Sequence, residues 1–120
     1  MIRISVVLDC SDPELLAGFW TAALGYQPVA AEGPFIGLRD PDGRLPTLVL
    51  QKVPEPKAAK NRMHLDVFSD EFENNLQRLL ELGATVVTPE HLESDGTRLV
   101  VLADPEGNEF CLLDFESAPA

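Results

Sequence analysis

The residue best suited by type to do chemistry is His64. Imidazole titrates near neutral pH and can take or give a proton. Residues 62–68 alternate in character, so Arg62, His64 and Asp66 fall on one face and Met63, Leu65 and Val67 on the other. Asp66 can then orient the ring; equally, His64 is a polar side chain held by Asp66, Arg62 or a ligand. Cys111 is a nucleophile only where a cation lowers its pKa. The plainer role for a lone cysteine is a small buried side chain, and Cys10 is read the same way. Glu109 shares a face with Cys111 and Leu113. Gln51 shares one with Val49, provided that Leu48 and Leu50 face the core, and can donate and accept hydrogen bonds. Arg62 and Lys60 are either a clamp for an anionic group or ordinary solvated charges. His91, next to Glu90 and near Glu93, reads as exposed loop.

These residues need elements to position them. Residues 2–8 form a β-branched run with Ile4, Val6 and Leu8 on one face and Arg3, Ser5, Val7 and Asp9 on the other. Ser11-Asp12-Pro13-Glu14 starts a helix: an acidic cap precedes proline in the first turn. Leu15, Leu16, Phe19, Trp20, Ala23 and Leu24 recur at helical spacing, and Gly25 ends the run. Phe19 and Trp20 are expected in the core. Strands follow at 26–31, 35–39 and 47–53, with Asp40-Pro41-Asp42-Gly43 turning between the last two. Residues 54–61 are a proline-bearing connector. The plan then repeats: a strand over 62–68, a helix capped by Ser69-Asp70 with a stripe of Phe72, Leu76, Leu79 and Leu80, a stop at Gly83, and strands over 85–88, 98–103 and 109–115. Leu24-Gly25 matches Leu82-Gly83, and Asp40-Pro41-Asp42-Gly43 matches Asp104-Pro105-Glu106-Gly107. The same order twice, with the same helix stop and turn, predicts an internal repeat: one domain over 1–120, with module one at 1–53, a linker at 54–61 and module two at 62–115.

Composition narrows the class. The chain has 120 residues, enough for one domain with a real core, and 45% are hydrophobic. Nine Lys and Arg face twenty Asp and Glu, a net charge of −11. Such a surface repels phosphate backbones and anionic membranes and draws in cations, although most of the acidity serves solubility. Two cysteines without a CxxC pair make no disulfide scaffold. Neither a signal peptide nor a bilayer span is expected, which points to a reducing, cytoplasmic location.

The stretches Ser11-Asp12-Pro13 through Phe19-Trp20 to Leu24-Gly25, Met63-His64-Leu65-Asp66-Val67, Leu82-Gly83-Ala84 and Asp104-Pro105-Glu106-Gly107-Asn108 together resemble the glyoxalase/bleomycin resistance protein/dioxygenase (vicinal oxygen chelate) superfamily. The resemblance extends over nearly the whole chain. It is nearest to a small bacterial glyoxalase-like group, in which a segment like Leu50-Gln51-Lys52-Val53-Pro54-Glu55-Pro56-Lys57 precedes a strand like Asn61-Arg62-Met63-His64-Leu65-Asp66. It implies an α+β fold of two β-α-β-β-β modules, their eight strands forming a curved mixed sheet around a cleft. Enzymes of the family hold a divalent metal there through His, Gln and Glu ligands. The family positions fall on Ser5 in the first strand, near Val49 with Gln51 two residues on, on His64, and on Cys111, where metal-dependent members carry Glu.

Only His64 is a standard ligand in its place, and catalytic sites usually supply three. Glu109 can substitute if the last strand bulges. The expectation is therefore a metal-independent protein binding a small molecule in a cleft lined by Ser5, Val7, Val49, Gln51, Arg62, His64, Asp66, Glu109 and Cys111, in the manner of resistance proteins that sequester antibiotics. The alternative is a lyase, isomerase or dioxygenase with an altered metal site centred on His64, assisted by Glu109 or Cys111, and with His64 the best catalytic candidate. A degenerate, non-catalytic scaffold is a further rival. The resemblance also implies a homodimer.

Overall fold

A computed structural model describes residues 4–61 and 63–117. The chain folds as two compact units, the first ending at Ala58 and the second beginning at Ala59. Each unit has one four-stranded mixed sheet and one helix.

The first unit runs β1 (Ser5–Cys10), α1 (Pro13–Leu24), β2 (Gln27–Glu32), β3 (Phe35–Arg39) and β4 (Thr47–Lys52). Its sheet order is β1-β4-β3-β2, with β1 parallel to β4 and the other neighbours antiparallel. Asp12 caps α1 by accepting from Leu15 N at 3.1 Å, and Pro13 follows in the first turn. The helix packs on β2, β3 and β4. Leu16, Phe19 and Trp20 on the helix and Leu38, Leu48 and Leu50 on the strands are all buried. Each such side chain contributes about 1.5–3 kcal/mol on leaving water. Phe19 and Trp20 meet edge to face, with ring centroids 5.0 Å apart. Ile4, expected on the core face, is exposed instead because it precedes β1. Val6 and Leu8 keep the inward positions.

The second unit runs β5 (Leu65–Ser69), α2 (Phe72–Leu82), β6 (Thr85–Leu92), β7 (Arg98–Ala103) and β8 (Glu109–Asp114), in the sheet order β5-β8-β7-β6. Helix α2 lies on β8, and Phe72, Leu79, Val100, Leu102, Phe110 and Leu112 are buried.

The two turns repeat at atomic detail. Asp40 accepts from the backbone N–H of Asp42, Arg44 and Leu45, each at 3.1 Å. Asp104 accepts from Glu106 N at 2.9 Å and from Asn108 N and Nδ2, each at 3.0 Å. Gly43 and Gly107 close these turns at φ of 69° and 86°, where a Cβ would be strained.

Three further expectations are corrected. Ser69-Asp70 does not cap α2: Ser69 ends β5, the cap residue is Glu71, and Ser69 Oγ instead accepts from Glu71 N at 2.9 Å. Met63 does not join an apolar face, because β5 begins only at Leu65, leaving it 85% exposed. His91 is not in a loop: β6 continues through Pro89 to Leu92, with His91 opposite Leu99. Proline and register shifts on this outermost strand hid the continuation, since Pro is tolerated at edges and bulges.

Candidate functional site

In each unit one face of the sheet carries the helix, and the other, the open face, carries none and is partly exposed. On the first sheet, burial of Leu48 and Leu50 beneath α1 turns Val49 and Gln51 to the opposite face, half-buried. Ser5 and Val7 alternate with the inward Val6 and Leu8 and are exposed. Val7 pairs with Val49, and Asp9 with Gln51. Among the ionisable groups of this face Asp9 is present, but no His, Cys, Asp and Glu cluster suited to a metal forms here among the described residues.

On the second sheet, Phe110 and Leu112 point to α2, so Glu109, Cys111 and Leu113 take the other face. The β5–β8 register sets Asp66 beside Cys111 and Phe68 beside Leu113. His64 lies just before β5, with Nε2 3.1 Å from Asp66 Oδ1 and both side chains about half exposed. The ligand atoms of His64, Asp66 and Cys111 all lie within 4.8 Å of one another.

Cys111 is a thiol rather than a thiolate. Burial pushes its pKa up to about 11, and Asp66, as neighbouring charge and hydrogen-bond partner, adds to this together with Glu93, against an opposing Lys60. Cys10 is buried and donates to Gln51 O at 3.6 Å.

Glu109 is engaged elsewhere. Its Oε2 accepts from Asn61 N at 3.3 Å, and its carbonyl accepts from Asn61 Nδ2 at 3.2 Å. The β8 register runs without a shift from Glu109 to Leu113, so the bulge that would redirect it is absent. Arg62 lies outside the described residues. Ser5, Val7, Val49 and Gln51 are brought together on the first sheet, and His64, Asp66 and Cys111 on the second.

Some residues escaped the sequence reading. Glu93 acts on Cys111 from just beyond β6; recognising that strand's full length would have pointed to it. Phe68 and Phe115 meet edge to face at 6.3 Å, both largely exposed. Arg98 lies 4.2 Å over the Phe72 ring, and its Nη2 and Nε reach Glu73 at 3.4 Å and Glu90 at 2.8 Å. Phe72 and Arg98 border a recess of about 280 Å³ with Asp70, Glu73 and Asp114. A second recess, of about 540 Å³, lies in the first unit by Asp12, Glu14, Phe35 and Lys52. No helix among the described residues is long and apolar enough to cross a membrane.

With this geometry in hand, comparison with solved structures finds the same fold. A glyoxalase/bleomycin resistance protein/dioxygenase family enzyme from Burkholderia phytofirmans PsJN superposes with a TM-score of 0.78 at 17% identity, covering 92% of this chain and 96% of that one. Hypothetical protein SA1046 from S. aureus gives 0.76 at 19% identity, over 95% and 94% of the two chains. TioX from Micromonospora sp. ML1 gives 0.67 at 19% identity, over 96% and 99%. The search of curated proteins gave no match. The model of the glyoxalase-like domain family matches residues 5–113, and the chain belongs to that family.

Proposed function

We propose that this glyoxalase-like protein binds a small molecule without a metal, using the open faces of its sheets, and above all the His64–Asp66–Cys111 face, in the manner of a sequestering resistance protein. The observation that carries this reading is that the three ionisable groups are matched to one another. His64 pairs with Asp66, and Asp66 helps to hold Cys111 as a thiol. A metal requires a deprotonated cysteine and free lone pairs. Ser5 and Gln51 add a hydroxyl and an amide on the first sheet, and Val7 and Val49 add apolar surface. The test is metal content of protein purified without chelator or nickel resin, with thermal shifts in manganese, zinc, nickel and iron(II), followed by a broad ligand screen. We expect no bound metal, no metal-induced shift, and stabilisation by organic ligands. One equivalent of metal, lost in His64→Ala, would overturn the reading. A cytoplasmic homodimer goes with it, and a single monomer mass in solution would exclude the dimer.

A second reading is favoured by the 4.8 Å grouping of one nitrogen, one oxygen and one sulfur donor. Three protein ligands are what a catalytic zinc-type site supplies, and this mixed set suits a borderline divalent ion. Such an ion would act as a Lewis acid on substrate oxygens. In that case the protein is a lyase, isomerase or dioxygenase, with His64, Asp66 and Cys111 holding the ion. The same metal measurement separates the two readings.

A further inference from the structure

We infer that the open face of the second sheet takes an organic cation with an aromatic body, its ammonium beside Asp66 and its ring on Phe68 and Phe115. The inference rests on the small-molecule reading and specifies its ligand class. Asp66 and Phe68 are two residues apart on β5 and project to the same side, roughly 7 Å apart along the strand. Asp66 stands beside Cys111 and Phe68 beside Leu113. The next strand continues these two rows with Val101 beside Cys111 and Leu99 beside Leu113. One end of the face is therefore ionisable and the other apolar.

The apolar end presents aromatic rings to solvent. Phe68 is 50% exposed and Phe115 63%, and their edge-to-face contact leaves ring surface open. Aromatic faces attract cations and stack on other rings.

The polar end is anionic. Asp66, Glu93 and Glu109 are its carboxylates. Lys60 is the ammonium acting on Cys111, and His64 is the imidazole against Asp66. Among the described residues of this group carboxylates outnumber cations whichever form His64 takes, and the chain as a whole carries −11. An ammonium approaching Asp66 meets a favourable potential, and a carboxylate is repelled.

The experiment titrates the isotope-labelled full chain with phenylpropylamine, hydrocinnamyl alcohol and hydrocinnamate and follows amide NMR shifts. The three probes share one body and differ only in the head group. We expect the amine to shift the amides of Asp66, Phe68, Cys111 and Phe115. The alcohol should bind about tenfold more weakly, and the acid more weakly still. Asp66→Asn should reduce the amine to the level of the alcohol while leaving the alcohol unchanged. Phe68→Leu should weaken both alike. Binding of the acid as tight as that of the amine, shifts mapping to another face, or indifference of the amine to Asp66→Asn would overturn the inference. An alcohol that binds this face as tightly as the amine would refute the cation preference while leaving small-molecule binding intact. Only failure of the broad screen removes that underlying reading.

Discussion

Alkylation of Cys111 by iodoacetamide tests the electrostatics of the site directly. Only the thiolate attacks. Raising the thiol pKa from 9.0 to about 11 changes the reactive population steeply. At about pH 8 the thiolate fraction falls about a hundredfold relative to an unperturbed cysteine. A more basic thiolate is also a better nucleophile, with a Brønsted slope near ~0.45, and across this pKa rise it regains about eightfold. The net expectation is alkylation about tenfold slower than that of a free cysteine peptide. The rate should climb with pH and level off only near 11. The measurement is intact mass against time in a Cys10→Ala background, which removes the buried second thiol. Asp66→Asn removes the charge that adds to the effect of burial, while its amide oxygen can still accept from the thiol, so its rate should level off at lower pH. A plateau near the ordinary thiol value, or one that Asp66→Asn does not move, would refute the account. A plateau below the ordinary value would mean that Lys60 dominates, and Cys111 would become a nucleophile after all.

Stability yields further expectations. Asp104→Ala leaves three N–H donors of a buried turn without their acceptor. It should cost about 3 kcal/mol and lower the thermal midpoint by about 10 °C, read by circular dichroism; a fall of about 2 °C or less would mean that water replaces the carboxylate. Asp12→Ala removes the α1 cap and should cost about 1 kcal/mol in denaturant unfolding, with Asp12→Ser restoring most of it. His91 can donate from Nδ1 to Pro89 O and from Nε2 to Glu93 Oε1, and these acceptors raise its pKa above 6.5. A raised folded-state pKa means that the charged form favours folding, so the contribution is present below 6.5 and lost as pH climbs through the folded value. His91→Ala should accordingly lower the thermal midpoint at about pH 5.5 and leave it unchanged at about pH 8.5. The opposite pattern would mean that burial, not the two acceptors, governs the ring.

Residues whose signals are local were the legible ones. Asp12-Pro13 marks a helix start because cap and proline act within one turn, and the helix begins at Pro13 as expected. Strands over 35–39 and 98–103 carry their own periodicity and flanking turns, and their bounds agree. Where two signals compete within a few residues, the reading slips. Ser69 has the chemistry of a cap, yet the parallel partnership with Asp114 keeps it in β5, and the helix starts after Glu71. Pro89 argues locally for a loop, but an edge strand tolerates it. The site needed more than local signals. Strand alternation places Asp66 and Cys111 on open faces, but only the β8 register decides that they touch and that Glu109 turns to Asn61. Glu93 and Phe115 lie just past the ends of β6 and β8: the full length of β6 leads to the first, and the alternation Glu109, Cys111, Leu113 continues to the second.

The two repeats show where such a fold tolerates chemistry. Cys10 and Ser69 are the buried last residues of β1 and β5, so counting back from them sets Val7 against Asp66 and Ser5 against His64. The parallel rungs agree: Val7 pairs with Val49 as Asp66 pairs with Cys111. The same rung is thus a valine pair in one unit and a carboxylate–thiol pair in the other. The buried face cannot vary in this way, because an unpaired carboxylate beneath a helix has neither water nor a partner. The turn aspartates cannot either, because each satisfies several backbone donors. The face away from the helix is only partly covered, with Leu99 and Leu113 buried but Val7, Asp66 and Phe68 exposed, so its exposed positions are where two units of one architecture can differ without loss of fold. The first sheet's counterpart face carries Asp9, Glu32 and Arg39 spread over separate strands, whereas His64, Asp66 and Cys111 gather within 4.8 Å on the second, a grouping that folding does not require. Charge and aromatic surface at a fixed spacing are what binding a particular kind of ligand requires.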